Sequence, residues 1–235
     1  MITVLYSNPA AEERQVWLPY AWGRFREYCD YQSNHDLTQV KWLPPLIEGW
    51  FDVDWLLEEH NLKNVDVLLL SFYVWNEERQ LEIAKRARAA NPNVLILAGG
   101  PQAQYRPHQN TKAYEVCDWI TPWEGEDLLA TVLHQKVNGL TVEHDLLVDP
   151  RYPVDKVSAK RLILKKFQSP YKLYWDEYAH IAETIKKRHG SLFTMWETNR
   201  GCPYKCAFCD WGSATSDKIR RLTEDTVMED LEAFS

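Results

Sequence analysis

The chain has 235 residues, of which 45% are hydrophobic and 26% are charged, so it is long enough to bury a core and has the composition of a globular protein. The net charge of −7 and the pI near 5.5 argue against a protein that binds nucleic acid through a generally basic surface. The longest apolar stretch, 65–75, is too short to span a bilayer, and the N-terminus lacks the pattern of a signal peptide. These features favour a cytoplasmic protein that acts without nucleic acid or membrane.

Short β-rich runs alternate with helical patterns in the first part of the chain. In chain order the runs are ITVLY, QVKWL, VDVLLLSF, NVLILA and DWIT. VDVLLLSF and NVLILA are continuously apolar, as expected for strands that helices cover on both faces. Between them, Glu77 to Ala90 carries apolar residues at helical spacing and is followed by the helix-terminating pair Asn91-Pro92. The alternation predicts an open, parallel-sheet α/β domain whose ligands bind beyond the carboxyl ends of the strands.

Three segments at these strand ends have residues suited to ligand contact: LSFYVWN (70–76), LAGGPQA (97–103) and TPWEGED (121–127). Ser71 offers a small hydroxyl, and Gly99 and Gly100 lack Cβ atoms that would keep a ligand away from the backbone. Glu124 and Gly125 open a helix whose first amides can donate hydrogen bonds. Each feature also has an ordinary explanation in a tight turn or a backbone hydrogen bond. The first strand is not followed by Gly-x-Gly-x-x-Gly, which disfavours a nucleotide-binding Rossmann domain.

The strand and helix pattern is lost from Asn138 to Ser158, where we place a linker. Beyond it we predict a helix from Tyr171 to Arg188 and a strand in SLFTMWE, which leads into a cysteine-containing loop. A last helix should begin after Thr223 as N-cap. Its apolar face, which we expect to have little to pack against, is formed by Val227, Met228, Leu231 and Phe234.

The resulting division is a first domain over residues 1–137, a linker with a helix over 138–190, and the start of a second domain over 191–235. Because this second domain consists of one strand and one helix, we expect the chain to be the N-terminal part of a longer protein.

Three of the five cysteines, Cys202, Cys206 and Cys209, lie within eight residues. This clustering indicates a metal or cluster site in a reducing compartment rather than a disulfide framework. Three thiolates favour zinc or an iron–sulfur cluster. A structural zinc site needs a fourth ligand, for which His189 is the only close candidate. A [4Fe-4S] cluster held by three cysteines would instead leave one iron open to a substrate or cofactor.

The spacing Cys-x3-Cys-x2-Cys, with Phe208 before the third cysteine, resembles the signature of the radical S-adenosylmethionine (SAM) superfamily. The resemblance implies that the three cysteines hold a [4Fe-4S] cluster, whose open iron binds SAM and whose electron cleaves it to a 5′-deoxyadenosyl radical. Phe208 would then lie near the adenine. Trp211 and Gly212, which follow the third cysteine, are assigned to the SAM pocket, and a packing tryptophan and a turn glycine are the equal alternative. An electron donor such as flavodoxin or ferredoxin is also implied.

Two segments, ETNRGCPYKCAFCDWG (197–212) and SPY (169–171), are similar to those of superfamily members that carry an N-terminal cobalamin-binding domain. This resemblance implies a flavodoxin-like domain followed by the start of a partial TIM barrel. It also implies cobalamin contacts at the strand ends, which we assign to Ser71, Tyr73, Gly99, Gly100, Glu124 and Gly125. Domains that ligate cobalt from below use Asp-x-His-x-x-Gly after the first strand, but this chain has SNPAAEER. We therefore expect that no histidine of this loop coordinates cobalt.

The expected function is cobalamin-dependent radical SAM chemistry, either methyl transfer or radical rearrangement, on an unidentified small-molecule or peptide substrate. The 235 residues alone should show little or no turnover. The alternative is a non-catalytic corrinoid-binding or iron–sulfur module that acts with a partner chain.

Several remaining residues have simpler interpretations. Cys29 and Cys117 are expected to be buried as small hydrophobic side chains, and the basic residues Lys218, Arg220 and Arg221 to lie on the solvated surface. Three histidines of the first domain are expected at ordinary surface or loop positions: His35, His60 and His108.

Overall fold

The computed structural model describes residues 1–10, 16–47, 53–58, 60–104, 115–121, 124–142, 168–189, 192–204, 206, 208 and 219–234. Its strands are β1 (Ile2–Ser7), β2 (Val16–Leu18), β3 (Val40–Trp42), β4 (Val67–Ser71), β5 (Leu95–Gly99), β6 (Trp119–Ile120), β7 (Leu192–Thr194), β8 (Asn199–Arg200) and β9 (Arg220–Arg221). The helices are α1 (Tyr20–Glu27), α2 (Val53–Glu58), α3 (Glu77–Ala90), α4 (Pro101–Gln104), α5 (Glu126–Val137), α6 (Pro170–Leu173), α7 (Trp175–His189) and α8 (Glu224–Phe234). A π-helical turn, Tyr28–Gln32, extends α1, and a 3-10 turn spans Leu62–Asn64.

The five runs predicted as strands form one parallel sheet in the order β3-β1-β4-β5-β6. Numbered within the sheet this is the order 2-1-3-4-5 of flavodoxin-like folds, so the predicted fold class is confirmed. The strand order reverses between β1 and β4, whose pairing begins at Val4 and Val67. Such a reversal leaves a crevice at the carboxyl ends of the two strands, which is the usual ligand position in open α/β sheets.

Side chains alternate between the two faces of the sheet and build a core on each. Leu68 and Leu70 pack with residues of α3 such as Ile83, whereas Val67 and Leu69 pack with α1 and α5. Burial on both faces is the reason that these strands are continuously apolar in sequence.

The later elements follow the expected order with two differences in detail. The helix predicted from Tyr171 to Arg188 is divided into α6 and α7 at Tyr174, and SLFTMWE contributes the three residues of β7. Helix α8 begins as predicted, and the Thr223 hydroxyl accepts a hydrogen bond from the amide of Thr226 at 3.4 Å.

Only part of α8 is in contact with the rest of the protein. Met228 and Leu231 of its predicted apolar face are 48% and 39% exposed, in agreement with the expectation that this face has little to pack against. Among the described side chains of the helix, Asp230 is buried, and Glu229 accepts a hydrogen bond from the Ser169 amide at 3.3 Å.

Sequence analysis did not identify β2, which pairs an early segment of the chain with a segment about 175 residues later. Val16, Trp17 and Leu18 pair in parallel with Leu192, Phe193 and Thr194, and the rings of Trp17 and Phe193 lie 5.1 Å apart. Residues 143–158 of the predicted linker lie outside the described part of the chain. Within the described helices, no segment is both long and apolar enough to cross a membrane.

Candidate functional site

A cavity of about 110 Å³ lies at the carboxyl end of the parallel sheet. We call it the strand-end cavity. The ends of β1, β4, β5 and β6 form its floor, and residues of α1 and of the start of α5 form its wall. Most of its lining is apolar, including Phe25, Leu69, Leu97 and Trp119. The fold therefore builds an apolar pocket where open α/β sheets usually bind ligands.

Four of the six residues assigned to cobalamin line this cavity: Ser71, Gly99, Gly100 and Gly125. The other two, Tyr73 and Glu124, do not line it. Tyr73 stacks on the half-exposed ring of Trp75 at 4.5 Å and 14°, and Glu124 takes part in ion pairs that are described below.

Gly100 is required by the fold itself. Its φ is +96°, and a Cβ atom at this position would lie 2.5 Å from the carbonyl oxygen of Phe72. A Cβ on Gly99 would lie 3.2 Å from the Thr121 methyl carbon, and one on Gly125 would lie 3.4 Å from the Phe25 ring. Gly100 thus allows β4 and β5 to approach closely at their ends, while Gly99 and Gly125 keep space open in the cavity.

Sequence analysis missed Tyr6, a polar-tipped residue of the cavity floor. Its side chain is buried, and burial is the main reason that the pKa of its hydroxyl lies far above the ordinary value. The hydroxyl lies near Ser71 and Asn8 but forms no hydrogen bond of acceptable geometry with any described residue. A neutral, buried hydroxyl without a partner is suited to hydrogen bonding with a ligand. A polar-tipped aromatic near the end of an apolar strand was the available sequence signal.

A buried amide fixes the strand ends around the switch point. Gln80 of α3 is fully buried; it accepts a hydrogen bond from the Ser7 hydroxyl at 2.8 Å and donates to the carbonyls of Ser7 and Ser71 at 2.8 and 3.0 Å. Asn76 donates to the same Ser71 carbonyl at 3.0 Å. These bonds hold β1 and β4 in fixed positions next to the cavity.

The cysteine loop, residues 201–219, is described only in part. Cys202 is half-buried, Cys206 is exposed, and both have free thiols, while the Phe208 side chain is 93% exposed. Cys209, Trp211 and Gly212 lie outside the described residues, so the predicted triad is not seen as a whole. Among described residues, no group of three potential metal ligands is present.

The other two cysteines have the environment that was expected for them. Cys29 is buried and Cys117 is partly buried; burial raises the pKa of the Cys29 thiol and raises that of Cys117 to about 12. Both are therefore protonated small side chains at neutral pH. His35 stacks on His134 at 4.3 Å, His60 is partly exposed, and His108 lies outside the described residues.

A cluster of charged residues lies between the start of α5 and both ends of the cysteine loop. Arg200, which directly precedes Gly201, pairs with Glu126 and Glu197 at 2.6 Å each and with Glu124 at 3.5 Å. Arg220 pairs with both carboxylate oxygens of Glu124, one of them at 2.9 Å. We call these five residues the charge cluster.

The interpretation of the basic segment before α8 as solvated surface is wrong for Arg220. Its side chain is 21% exposed because it is directed toward Glu124, whereas Arg221 is exposed as predicted and Lys218 lies outside the described residues. Sequence analysis did not assign Arg200 or Glu126 a role, because the pairs join positions far apart in the chain.

The acidic member deepest in the charge cluster is Glu126, which is 3% exposed. Burial alone would raise the pKa of this carboxyl, but the charge and hydrogen bond of Arg200, together with the charge of Arg24, bring it below the ordinary value. The carboxylate is therefore charged at neutral pH, and the α5 N-terminus and the cysteine loop are joined by buried ion pairs.

Comparison with known proteins gives matches over most of the chain, although no protein-family model matches it. The chain is 38% identical over 235 aligned residues to the cobalamin-dependent radical SAM methyltransferase TokK of Streptomyces tokunonensis, a match that covers 93% of this chain and 32% of TokK. It is 35% identical over 179 residues to a 2-(S-pantetheinyl)-carbapenam-3-carboxylate methyltransferase of Streptantibioticus cattleyicolor, which covers 72% of this chain and 25% of that protein. The chain thus spans about a third or less of the length of these relatives.

A solved structure shares the fold. The radical SAM methyltransferase TsrM from Kitasatospora setae, determined with cobalamin and a [4Fe-4S] cluster bound, aligns with a TM-score of 0.60 and 14% identity over 100% of this chain and 46% of its own. The sequence matches confirm the predicted family, and the shared fold confirms the predicted α/β fold. The chain belongs to the cobalamin-dependent radical SAM family.

Proposed function

We propose that this chain is the cobalamin-binding and cluster-binding part of a radical SAM methyltransferase. The observation that carries the proposal is the position of the strand-end cavity, which is joined through the charge cluster to the loop that holds the three cysteines. When bound, the cluster would supply reductive cleavage of one SAM molecule, and cobalamin would carry a methyl group taken from another. Methyl transfer is favoured over radical rearrangement because TokK, the carbapenam enzyme and TsrM are all named methyltransferases.

The residues present fit both cofactors. Cys202, Cys206 and Cys209 supply three thiolates, which is the donor set that iron–sulfur clusters require. The strand-end cavity would accept the nucleotide tail of cobalamin, because it is apolar, lacks Cβ atoms at Gly99 and Gly125, and contains the Tyr6 hydroxyl, which forms no hydrogen bond with a described residue.

Each protein group would have a distinct role in this arrangement. The Tyr6 and Ser71 hydroxyls would orient the bound tail, and the first amides of α5 would donate hydrogen bonds to it. Phe208 would line the SAM side of the cysteine loop, as the family resemblance implies, and we propose that Trp211 and Gly212 line it as well. We also propose that a small electron-transfer protein, such as flavodoxin or ferredoxin, reduces the cluster.

Titration with hydroxocobalamin, followed by absorbance, tests the first part of the proposal. Gly99→Val adds a side chain that suits a strand but fills the cavity, so affinity should fall by at least about tenfold. Tyr6→Phe removes only the hydroxyl and should weaken binding by about fivefold. Tyr31→Phe, at an exposed position outside the cavity, is the matched control and should bind like the wild type. Equal affinity of Gly99→Val and wild type would exclude the cavity as the binding site.

Anaerobic reconstitution with iron and sulfide tests the second part. The wild type should bind about four irons and four sulfides per chain, and reduction in the presence of SAM should yield 5′-deoxyadenosine only at a low level, in line with the little turnover expected of the 235 residues alone. Cys206→Ala should lose both properties, whereas Cys117→Ala should retain them. Stoichiometric zinc without sulfide would contradict the cluster. With methyl-labelled SAM, the first acceptor to test is 2-(S-pantetheinyl)-carbapenam-3-carboxylate, the compound in the name of one relative.

A further inference from the structure

The two ends of the cysteine loop are held together by a very short sheet. Strands β8 and β9 form an antiparallel pair in which Asn199 lies opposite Arg221 and Arg200 lies opposite Arg220. Residues 201–219 leave and return through this pair, which we call the loop neck. Because the neck has only two residue pairs, backbone hydrogen bonds alone give it little stability.

Charge makes the loop neck less stable still. Arg200 and Arg220 are cross-strand partners, and like charges directly opposite each other on a sheet repel. Both side chains are largely shielded from water, at 17% and 21% exposure, so solvent screens the repulsion only weakly. A short sheet with this sequence needs a carboxylate between its two guanidinium groups.

Glu124 supplies that carboxylate from the first domain. Its Oε2 accepts a hydrogen bond from Nη1 of Arg220 at 2.9 Å and lies 3.5 Å from Nη1 of Arg200, and its Oε1 contacts Nη2 of Arg220. Glu197 and Glu126 contact Arg200 from other sides. Among these three carboxylates, Glu124 is the one that contacts both arginines of the neck.

The position of Glu124 links the two halves of the proposed site. The next residue, Gly125, lines the strand-end cavity, while Arg200 is separated from Cys202 by a single glycine. A side chain that bridges Arg200 and Arg220 therefore fixes the start and the end of the cysteine loop relative to the cavity.

We propose that Glu124 is a positioning residue, which closes the loop neck by bridging Arg200 and Arg220 and thereby holds the two ends of the cysteine loop at the start of α5. The significance of this position for catalysis rests on the proposed function, but closure of the neck does not. Glu124 thus acts through the two arginines, and its carboxylate serves the loop rather than the cavity.

Amide hydrogen exchange on the cofactor-free chain tests the proposal directly. Glu124→Gln keeps the shape of the side chain but removes its charge, so exchange at the described neck residues 199–201 and 219–222 should accelerate by about tenfold or more. Glu124→Asp keeps the charge but withdraws it by one methylene, so the acceleration should be intermediate. Glu82→Gln is the matched control, since it removes a carboxylate from an exposed ion pair with Arg86 on α3. In this variant the loop neck should exchange at the wild-type rate.

A double-mutant cycle identifies the partner. If Glu124 acts by bridging the two arginines, Glu124→Gln should change neck exchange by less than about threefold in an Arg220→Met background. The proposal is overturned if Glu124→Gln and Glu124→Asp exchange like the wild type at the neck, or if Glu124→Gln has its full effect in the Arg220→Met background. If Glu124→Gln does not fold, Glu124→Asp carries the test alone.

Iron loading separates this inference from the proposed function. On anaerobic reconstitution, Glu124→Gln should retain less iron and sulfide than the wild type and Glu82→Gln. Absence of iron and sulfide from the wild type would contradict the proposed function and leave the exchange result, and so the role of Glu124 in the neck, intact.

Discussion

Gly100 combines two constraints that no other residue type meets at its position. Its φ of +96° disfavours side chains, and a Cβ atom would lie 2.5 and 2.9 Å from the backbone oxygen and nitrogen of Phe72. Because both contacts are to backbone, relief requires β4 and β5 to separate at their ends. We expect Gly100→Ala to lower the free energy of unfolding by about 3 kcal/mol, measured by urea denaturation.

The matched control for this substitution is Gly139→Ala. Gly139 also has a positive φ, of +66°, but no atom lies within 4 Å of the position of its Cβ. In this variant the added methyl group disfavours the positive φ but meets no other atom. Its free energy of unfolding should therefore fall by only about 1 kcal/mol. Equal losses in the two variants would show that β4 and β5 tolerate the added methyl group.

Individual residues could be predicted from the sequence where their type has an unusual conformational property. Paired glycines after an apolar strand indicated a special backbone position, and Gly99 and Gly100 do lie at the cavity. The role of Tyr6 was not predictable in the same way, because a tyrosine within a strand is usually a core residue. Only the three-dimensional arrangement shows that its hydroxyl has no partner among the described residues.

Helix α5 and the loop neck are joined by a carboxylate whose charge depends on pH. Burial raises the pKa of Glu126, but the charge and hydrogen bond of Arg200, together with the charge of Arg24, lower it, so the folded-state pKa lies below its ordinary value of 4.5. The stabilisation that this shift represents is complete above pH 4.5 and is lost as pH falls through the lower, folded-state pKa. The ion pair should therefore stabilise the protein at neutral pH and not in strong acid.

We expect Glu126→Gln to lower the free energy of unfolding by about 2 kcal/mol at pH 7, since Arg200 keeps Glu197 and Glu124 as partners. The difference from wild type should shrink as pH falls from about 5 to 3. Urea denaturation across this range measures it. Glu82→Gln, in an exposed ion pair, should have a small effect at every pH. A difference for Glu126→Gln that stays constant with pH would contradict this prediction.

Helices and strands could be predicted where their sequence pattern is long or regular. They could not be predicted where they form only by pairing with a segment that is distant in sequence. Continuous apolar runs correctly predicted β4 and β5, and apolar residues at helical spacing correctly predicted α3. By contrast, β2 has only three residues and becomes a strand because β7 lies beside it. The pairs of Glu124 with Arg200 and Arg220 are likewise contacts between remote segments, for which a single sequence contains no local pattern.

The two parts of the described chain share one core. Tyr178 of α7 packs edge-to-face on Trp22 of α1 at 5.4 Å, and its hydroxyl donates to the Pro19 carbonyl at 3.1 Å. Tyr171 of α6 and Tyr6 of β1 are buried in the same cluster. The division at residues 137 and 190 remains a prediction, but helices placed in the linker by sequence complete the face of the sheet that carries the cavity.

This shared core predicts that residues 1–142 do not form an ordered domain alone. Without α6 and α7, the large apolar surfaces of Trp22 and its neighbours on α1 would be exposed, and β2 would lose its partner strand. We expect a fragment ending at residue 142 to have weak near-UV circular dichroism and a broad unfolding transition, whereas a fragment ending at residue 197 should unfold cooperatively.

A substitution in the full chain tests the same idea without truncation. Tyr178→Ala removes a fully buried ring from the shared core, so the free energy of unfolding should fall by about 3 kcal/mol or more. Tyr31→Ala removes an equal side chain from an exposed site and should change it little. If the domains were independent, Tyr178→Ala would leave exchange in β1 and β4 unchanged. Tyr178 of α7 packs in the same core cluster as residues of β1 and β4 that line the cavity. We therefore expect faster amide exchange in both strands, which would show that a substitution in α7 destabilises the candidate cofactor site.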